Sequence, residues 1–153
     1  MKQTDKTIKF IILSALFILG YLPTLAWMVN RWLSKDSYYG HGFLVPLVSL
    51  FIVWQNKEKI KKVRQNPSNS GLILIIIGLL IHLASALFRV YFTSSFSMIL
   101  VITGLVLYLF GKEILNEIKF PIFFLIFMIP LPLVAVANIS LRMKLFAAQV
   151  STI

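Results

Sequence analysis

The chain has 153 residues and a mass of 17.5 kDa, and 59% of its residues are apolar while 13% are charged. A soluble domain carries roughly 25% charged residues, and a disordered tail needs low hydrophobicity, so the mean hydropathy of +0.89 excludes both classes. The net charge of +10 comes from Lys and Arg residues placed between apolar blocks. That placement is typical of membrane topology signals and not of a nucleic-acid-binding face.

Five stretches are apolar enough, or nearly so, to cross a hydrocarbon core of about 30 Å as helices of about 20 residues. They are predicted at residues 8–29, 38–54, 72–88, 95–110 and 120–137. Residues 138–153 follow as an amphipathic segment. The predicted fold class is therefore all-α, a polytopic membrane protein with about five transmembrane helices in a single membrane domain over residues 1–153.

The basic residues predict the orientation, because cytoplasmic loops carry an excess of Lys and Arg. Ten of them lie at the N-terminus and in the second-to-third and fourth-to-fifth connections, and five lie on the other side. The N-terminus is therefore predicted to be cytoplasmic, and residues 138–153 to lie on the outward side. The first apolar stretch exceeds the core of about 7–15 residues expected of a signal peptide, and no A-x-A-like site follows it, so an uncleaved span is predicted.

The outer end of the second span carries a histidine between two glycines, in residues 38–46. Glycine permits close approach of backbone, and Pro46 is predicted to lie in the first turn of a helix, where its missing N–H is tolerated. His41 then lies at the positive end of the helix dipole, which disfavours the imidazolium and leaves a neutral histidine able to exchange a proton. The alternative is an interfacial anchor of Tyr38, Tyr39 and His41.

The third span contains one ionisable residue, His82, near mid-membrane. Such residues suggest a functional site by default. However, Gly78, His82, Ser85 and Arg89 share one helical face, and a stripe of small and polar residues is also how membrane helices pack together. The packing interpretation is favoured, and the fourth span offers a similar stripe as its partner, formed by Ser97, Gly104, Tyr108 and Gly111.

The fifth span contains Pro130 and Pro132. Each proline removes an N–H and disturbs the carbonyl four residues earlier, here those of Ile126 and Met128. Two interpretations remain open: a plain kink, or a broken helix whose freed groups face protein or a water-filled cavity. Beyond this span, Arg142 is a candidate for holding a carboxylate or phosphate, although a lone arginine near an interface more often contacts lipid headgroups.

The sequence carries no metal-ligand cluster, Ser/His/Asp arrangement or phosphate-binding loop, and no cofactor or metal is predicted. It also contains no Cys. The chain therefore has no disulfide, no Cys metal site and no thiol nucleophile of its own.

Three stretches together resemble the exosortase/archaeosortase family of membrane-embedded sorting enzymes. The first is Tyr-Gly-His-Gly-Phe-Leu-Val-Pro at residues 39–46, followed by Trp54 and a basic cluster. The second is the glycine-punctuated span that opens at Gly71, and the third is the proline-rich segment 120–132. The resemblance implies a multi-spanning bacterial inner-membrane cysteine protease and transpeptidase. Such enzymes cleave C-terminal sorting signals of the PEP-CTERM type on exported proteins, in connection with extracellular polysaccharide production.

The resemblance also implies a catalytic Cys, Arg and His on the outward side of later spans, and none of them is carried over. His41 matches the family's His-Gly motif, and Arg142 matches an earlier basic position. The expectation is thus the N-terminal part of an exosortase, truncated before the catalytic spans and inactive alone. The residues expected to form an outward-side cavity or to bind substrate are His41, Gly42, Pro46, Pro130, Pro132 and Arg142.

The expected partners are membrane lipids and, by resemblance, the sorting signal of exported proteins, with no nucleic acid. The alternative is a non-catalytic membrane protein that acts in binding or assembly. Part of a transporter is the least favoured interpretation, because the sequence lacks a pair of matching interrupted spans.

Overall fold

The computed structural model describes residues 2–34 and 39–151. These residues form helices joined by short connections, with no strand among them, which confirms the predicted all-α class. Tyr38, the first residue of the predicted second span, lies outside the described residues.

The first helix, α1, runs from Lys2 to Leu33 and extends beyond the predicted span at both ends. It buries one stripe of side chains, each at most 8% exposed: Tyr21, Thr24, Met28 and Trp32. Steps of three, four and four residues place them on one face of the helix. From Ile8 onward, the side of α1 away from this stripe presents large apolar side chains to the outside, as expected of a helix surrounded by lipid.

The second predicted span, residues 38–54, begins with a 3₁₀ turn and is not α-helical throughout. A 3₁₀ turn at Gly40–Phe43 leads directly into α2, Leu44–Gln55, and the basic helix α3 follows at Lys57–Lys62. Pro46 is the third residue of α2, as predicted from its missing N–H. The turn and α2 together form a shorter apolar helix over Gly40–Gln55.

Helices α4, Ser70–Leu87, and α5, Tyr91–Leu109, form a closely packed antiparallel hairpin. Both lie within four residues of the predicted spans. Gly71 and Gly104 face each other so closely that a Cβ on Gly104 would lie 2.9 Å from the carbonyl oxygen of Gly71. A Cβ on Gly78 would meet the side chain of Val101. Gly78 lies against Ser97, and Gly104 and Tyr108 lie against Gly71, so these parts of the predicted stripes are packing surfaces. Arg89 and Gly111 lie beyond the ends of α4 and α5 and do not belong to the stripes.

The loop before α4 is fixed to the end of α5 by backbone contacts. The Asn66 N–H donates to the carbonyl of Phe110 at 3.1 Å, and the Ser68 N–H donates to that of Leu107 at 3.2 Å. Gly111 has φ +97°, a conformation that side chains with a Cβ rarely adopt, and a Cβ there would overlap the backbone of Asn66.

The predicted fifth span, residues 120–137, is not one helix. Helix α6, Lys112–Phe124, ends early, a 3₁₀ turn follows at Leu125–Met128, and α7 begins only at Leu133 and continues to Ser151. The chain between them belongs to no helix, and its first residue, Ile129, is extended, with ψ 115°. Of the two interpretations of the prolines, the broken helix is therefore correct and the plain kink is wrong. The segment predicted to start at residue 138 is instead a continuation of α7.

Three helical segments in the described residues are long and apolar enough to cross a membrane: Ile8–Leu33, Ser70–Leu87 and Tyr91–Leu109. Large apolar side chains are exposed along much of Ile8–Leu33 and most of Ser70–Leu87, and helices exposed in this way require lipid around them. The protein is thus an all-α polytopic membrane protein, as its composition predicts. Its core lies where the buried stripe of α1 meets α5, α2 and the turn after α6.

Candidate functional site

The histidine–glycine motif forms a compact turn ahead of α2. The Gly42 N–H donates to the carbonyl of Tyr39 at 2.8 Å, and the Leu44 N–H donates to the carbonyl of His41. The His41 side chain is exposed, with its ring centroid 6.1 Å from that of Tyr39. The motif thus places His41 at the surface, directly N-terminal to α2.

Gly42 is buried because it lies against the indole of Trp32, the last buried residue of α1. Any Cβ at this position would overlap the indole ring, so only glycine fits without displacing Trp32. The next residue, Phe43, presents its ring edge-on to the same indole at a centroid distance of 4.7 Å, a favourable aromatic geometry. The turn is therefore held against α1 by one large side chain.

The break after α6 frees the two carbonyls that the prolines were predicted to disturb. The carbonyl of Ile126 accepts the Ile129 N–H at 3.1 Å, within the 3₁₀ turn. The carbonyl of Met128 accepts a bond from outside its own segment, from Trp32 Nε1 at 2.9 Å. Both acceptors are therefore satisfied, as backbone groups at membrane depth must be.

Trp32 is consequently the residue that brings the two motifs together. Its ring packs on Gly42 and Phe43, and its N–H binds the carbonyl that Pro132 leaves without a helical partner. We call this set, Trp32 with Gly42, Phe43 and Met128, the Trp32 junction. Indole is a donor with no acceptor atom, which suits it to an orphaned carbonyl at the end of a helix.

A second hydrogen bond supports the junction from the middle of α2. Ser49 Oγ, which is buried, donates to the carbonyl of Pro121 in α6 at 3.0 Å. Helix α2 is therefore attached to the proline-rich segment at two places, directly through Ser49 and indirectly through the turn that Trp32 holds.

The predicted site residues divide into two groups. Gly42 belongs to the junction, and the buried Pro130 follows Met128 by two residues. His41 lies on the same 3₁₀ turn as Gly42, and Pro46 lies in the first turn of α2. Pro132 immediately precedes α7, and its carbonyl accepts the Val136 N–H at 3.2 Å. Arg142 is different: it is exposed on α7, and among the described residues α7 makes no contact with α2 or with either 3₁₀ turn.

His82 belongs to a separate group of side chains between α1, α4 and α5. Its Nδ1 is 2.8 Å from Ser94 Oγ, and its ring centroid is 4.2 Å from that of Tyr21. Thr24 Oγ1 lies 2.6 Å from the same serine oxygen, and the Tyr21 hydroxyl lies 3.0 Å from Ser97 Oγ. We call these five residues the polar cluster. Every buried side-chain polar atom in the described residues has a partner, which is the pattern of helix packing by polar side chains.

Sequence reasoning missed Trp32, Tyr21 and Thr24. Tyr21 and Thr24 could have been predicted as packing residues, since two polar side chains three positions apart lie on one face of an apolar span. Trp32 carries none, because its partner Met128 is 96 residues away. No group of three or more His, Asp or Glu side chains that is suited to a metal occurs in the part of the chain that the structure describes.

The family comparison agrees with the motifs that the junction joins. The family model described as transmembrane exosortase (Exosortase_EpsH) matches residues 27–153, a range that includes Trp32, the histidine–glycine turn and the proline-rich break. No curated protein and no solved structure matches the chain. Because the match covers most of the sequence, the chain belongs to the transmembrane exosortase family.

Proposed function

We propose that this chain forms the outward-side wall of an exosortase-type site that receives the C-terminal sorting signals of exported proteins. The observation that carries the proposal is the hydrogen bond from Trp32 to the Met128 carbonyl. It brings the histidine–glycine turn and the proline-rich break, two motifs of the family resemblance, to one place. Separate motifs that converge on one surface support a shared role in binding.

The non-helical segment 129–132 is the part of this wall best suited to a peptide. Its backbone lies outside any helix, and Leu131 is 40% exposed while its neighbour Pro130 is buried. Leu131 carries the backbone N–H of this segment that can meet a peptide, because Pro130 and Pro132 have none and the Ile129 N–H binds the Ile126 carbonyl. Main-chain groups of this kind are what peptide recognition commonly uses. In this proposal His41 and Pro46 form the adjoining surface, and Gly42 lets their turn pack against Trp32. Arg142, on α7, holds a carboxylate that arrives from the outward side.

The chemistry of cleavage requires a group that these 153 residues do not contain. The family resemblance implies a cysteine nucleophile, and thiolate chemistry needs a Cys activated by a base or a nearby positive charge. The sequence has no Cys. In the proposal the chain therefore contributes substrate binding, and the thiol comes from another segment. The proposed setting is the bacterial inner membrane, with the N-terminus in the cytoplasm and a link to extracellular polysaccharide production.

The absence of Cys also favours a second candidate, a non-catalytic membrane protein that binds sorting signals or an assembly partner. Both candidates need the same binding surface. They differ in whether a Cys-bearing segment of a related exosortase, supplied in trans, produces cleavage.

Photo-crosslinking in membranes tests the shared surface. A photoreactive amino acid replaces Leu131, and the exported reporter protein carries a C-terminal sorting signal of the PEP-CTERM type. The matched control places the same group at Leu83, which is 58% exposed on α4. We expect several-fold more crosslinking from position 131, and equal crosslinking from both positions would refute the proposed site. Cleavage of the reporter on adding the Cys-bearing segment then selects the enzyme over the binding protein.

A further inference from the structure

A groove lies where α2 meets the basic helix α3, away from the Trp32 junction. It has a volume of about 650 Å³. Its walls come from the last three turns of α2 and the inner face of α3, and they are lined by Leu47, Leu50, Phe51, Val53, Trp54, Lys57, Ile60 and Lys61. All the lining residues from α2 are apolar, so the groove is an apolar channel that ends at two lysines.

The α2 wall is exposed to the surroundings of the helix. Leu47, Leu50 and Trp54 are each between 59% and 68% exposed. In a membrane protein such side chains contact hydrocarbon, so whatever fills the groove along α2 must itself be apolar over that length.

The α3 end of the groove is positively charged. Lys57 Nζ lies 4.6 Å from the centre of the Trp54 ring, a cation–π contact that holds the ammonium over the apolar wall. Lys61, one helical turn further on, lines the same side and lies 3.2 Å from Glu58 Oε1. Residues 57–64 contain five basic residues and only one carboxylate, that of Glu58. This segment therefore keeps a large positive net charge.

An apolar channel with a cationic end matches one chemistry, an acyl chain attached to an anionic headgroup. Basic clusters directly beside a membrane helix attract anionic lipids, at about 1 kcal/mol per Lys or Arg near the surface. We propose that this groove binds an anionic phospholipid, with one acyl chain along Leu47–Trp54 and its phosphate between Lys57 and Lys61. This site is separate from the proposed sorting site and does not depend on it.

Quenching of Trp54 by brominated lipids tests the proposal directly. The full chain is reconstituted in nanodiscs of unlabelled phosphatidylcholine and titrated with brominated phosphatidylglycerol or brominated phosphatidylcholine. We expect quenching at severalfold lower mole fraction of the anionic lipid. The difference should disappear in Trp54→Phe, which leaves Trp27 and Trp32 as the remaining fluorophores.

Two pairs of Lys→Gln substitutions distinguish lipid binding in the groove from unspecific attraction of anionic lipids to the basic helix. Lys57→Gln/Lys61→Gln removes the two groove lysines, and Lys59→Gln/Lys62→Gln removes the same charge from residues that do not line the groove. We expect the first variant to weaken the headgroup preference about tenfold or more and the second less than about threefold.

Three results would overturn the proposal. Equal losses in the two variants would mean unspecific surface attraction, and equal quenching by both lipids in the wild type would mean no headgroup selection. Exclusion of both lipids from Trp54 would mean that a protein segment fills the groove. Lys57→Arg/Lys61→Arg, which keeps the charge, should retain the preference, and unchanged quenching of each variant by brominated phosphatidylcholine reports that α2 is intact.

Discussion

The α4–α5 hairpin and the Trp32 junction hold helices together by opposite means. In the hairpin, glycines allow two backbones to touch, so that Gly71 and Gly104 leave no room for a Cβ. In the junction, one of the largest side chains in the protein spans the gap between α1, the histidine–glycine turn and the break after α6. The hairpin contact depends on the absence of Cβ atoms at the two glycines, whereas the junction depends on the indole ring of Trp32.

The two kinds of contact separate the framework of this membrane protein from its proposed site. Lipid is as apolar as a leucine side chain, so helices associate through close packing and polar contacts and not through hydrophobic burial. Close glycine packing gives a rigid pair of helices. At the junction, by contrast, Leu131 stays exposed beside the buried Pro130, in a segment that belongs to no helix.

The largest expected effect breaks the hairpin. Gly104→Ala places a methyl group 2.9 Å from the Gly71 carbonyl oxygen and from Ile75 N, and backbone on the far side cannot move aside as a side chain can. We expect a loss of about 3 kcal/mol in the free energy of unfolding, measured by titration with SDS from mild detergent micelles. Gly20→Ala is the matched control, because nothing lies within 4 Å of its Cβ and alanine favours the helix. Equal losses in the two variants would disprove the close-packing account.

A smaller loss is expected at the junction. Trp32→Phe keeps an aromatic ring beside Gly42 and removes the N–H that binds the Met128 carbonyl. Leaving that buried acceptor without a donor should cost about 2 kcal/mol. Trp27→Phe is the control, since its ring stacks on Tyr91 at 5.8 Å, outside the junction.

The same pair of variants sharpens the functional side of the comparison. Crosslinking from Leu131 should fall in Trp32→Phe and remain in Trp27→Phe, because only the former loosens the break. The proposed role of the junction would be untenable if Trp32→Phe lowered stability and left crosslinking unchanged.

The smallest effect on the free energy of unfolding is expected in the polar cluster, which joins helices through side-chain hydrogen bonds. Tyr21→Phe removes the hydroxyl that lies 3.0 Å from Ser97 Oγ and keeps the ring against His82. Interhelical hydrogen bonds of this kind average about 0.6 kcal/mol in membrane proteins, so a loss of that size is expected in the same SDS titration. Tyr91→Phe, outside the cluster, should change the free energy of unfolding less. A loss above about 2 kcal/mol would show that the cluster acts as one cooperative network.

The hairpin was predictable from sequence and the junction was not. A step of four residues places Gly78 and His82 on one face of a span, so the packing stripe can be predicted from the sequence of that helix alone. The prolines likewise indicated which carbonyls would be freed, those of Ile126 and Met128. They did not indicate the donor, because nothing local to Trp32 points to a residue 96 positions away.

The predicted fifth span was wrong as a single helix for a related reason. Hydropathy measures how apolar residues 120–137 are, and it does not register that Pro130 and Pro132 each remove a hydrogen bond. A break at this depth is stable only where partners for the freed groups exist. Those partners, the Ile129 N–H and the Trp32 indole, are visible only in the folded chain.

The wide sequence separation at the junction has a consequence for the order in which the protein assembles. The α4–α5 hairpin joins neighbouring segments and closes a short loop, whereas the Trp32–Met128 bond closes a loop of 96 residues, whose entropic cost grows with length. During synthesis Trp32 enters the membrane long before Met128 leaves the ribosome. The hairpin should therefore form as an early folding unit, and the junction should close only after the proline-rich segment has inserted.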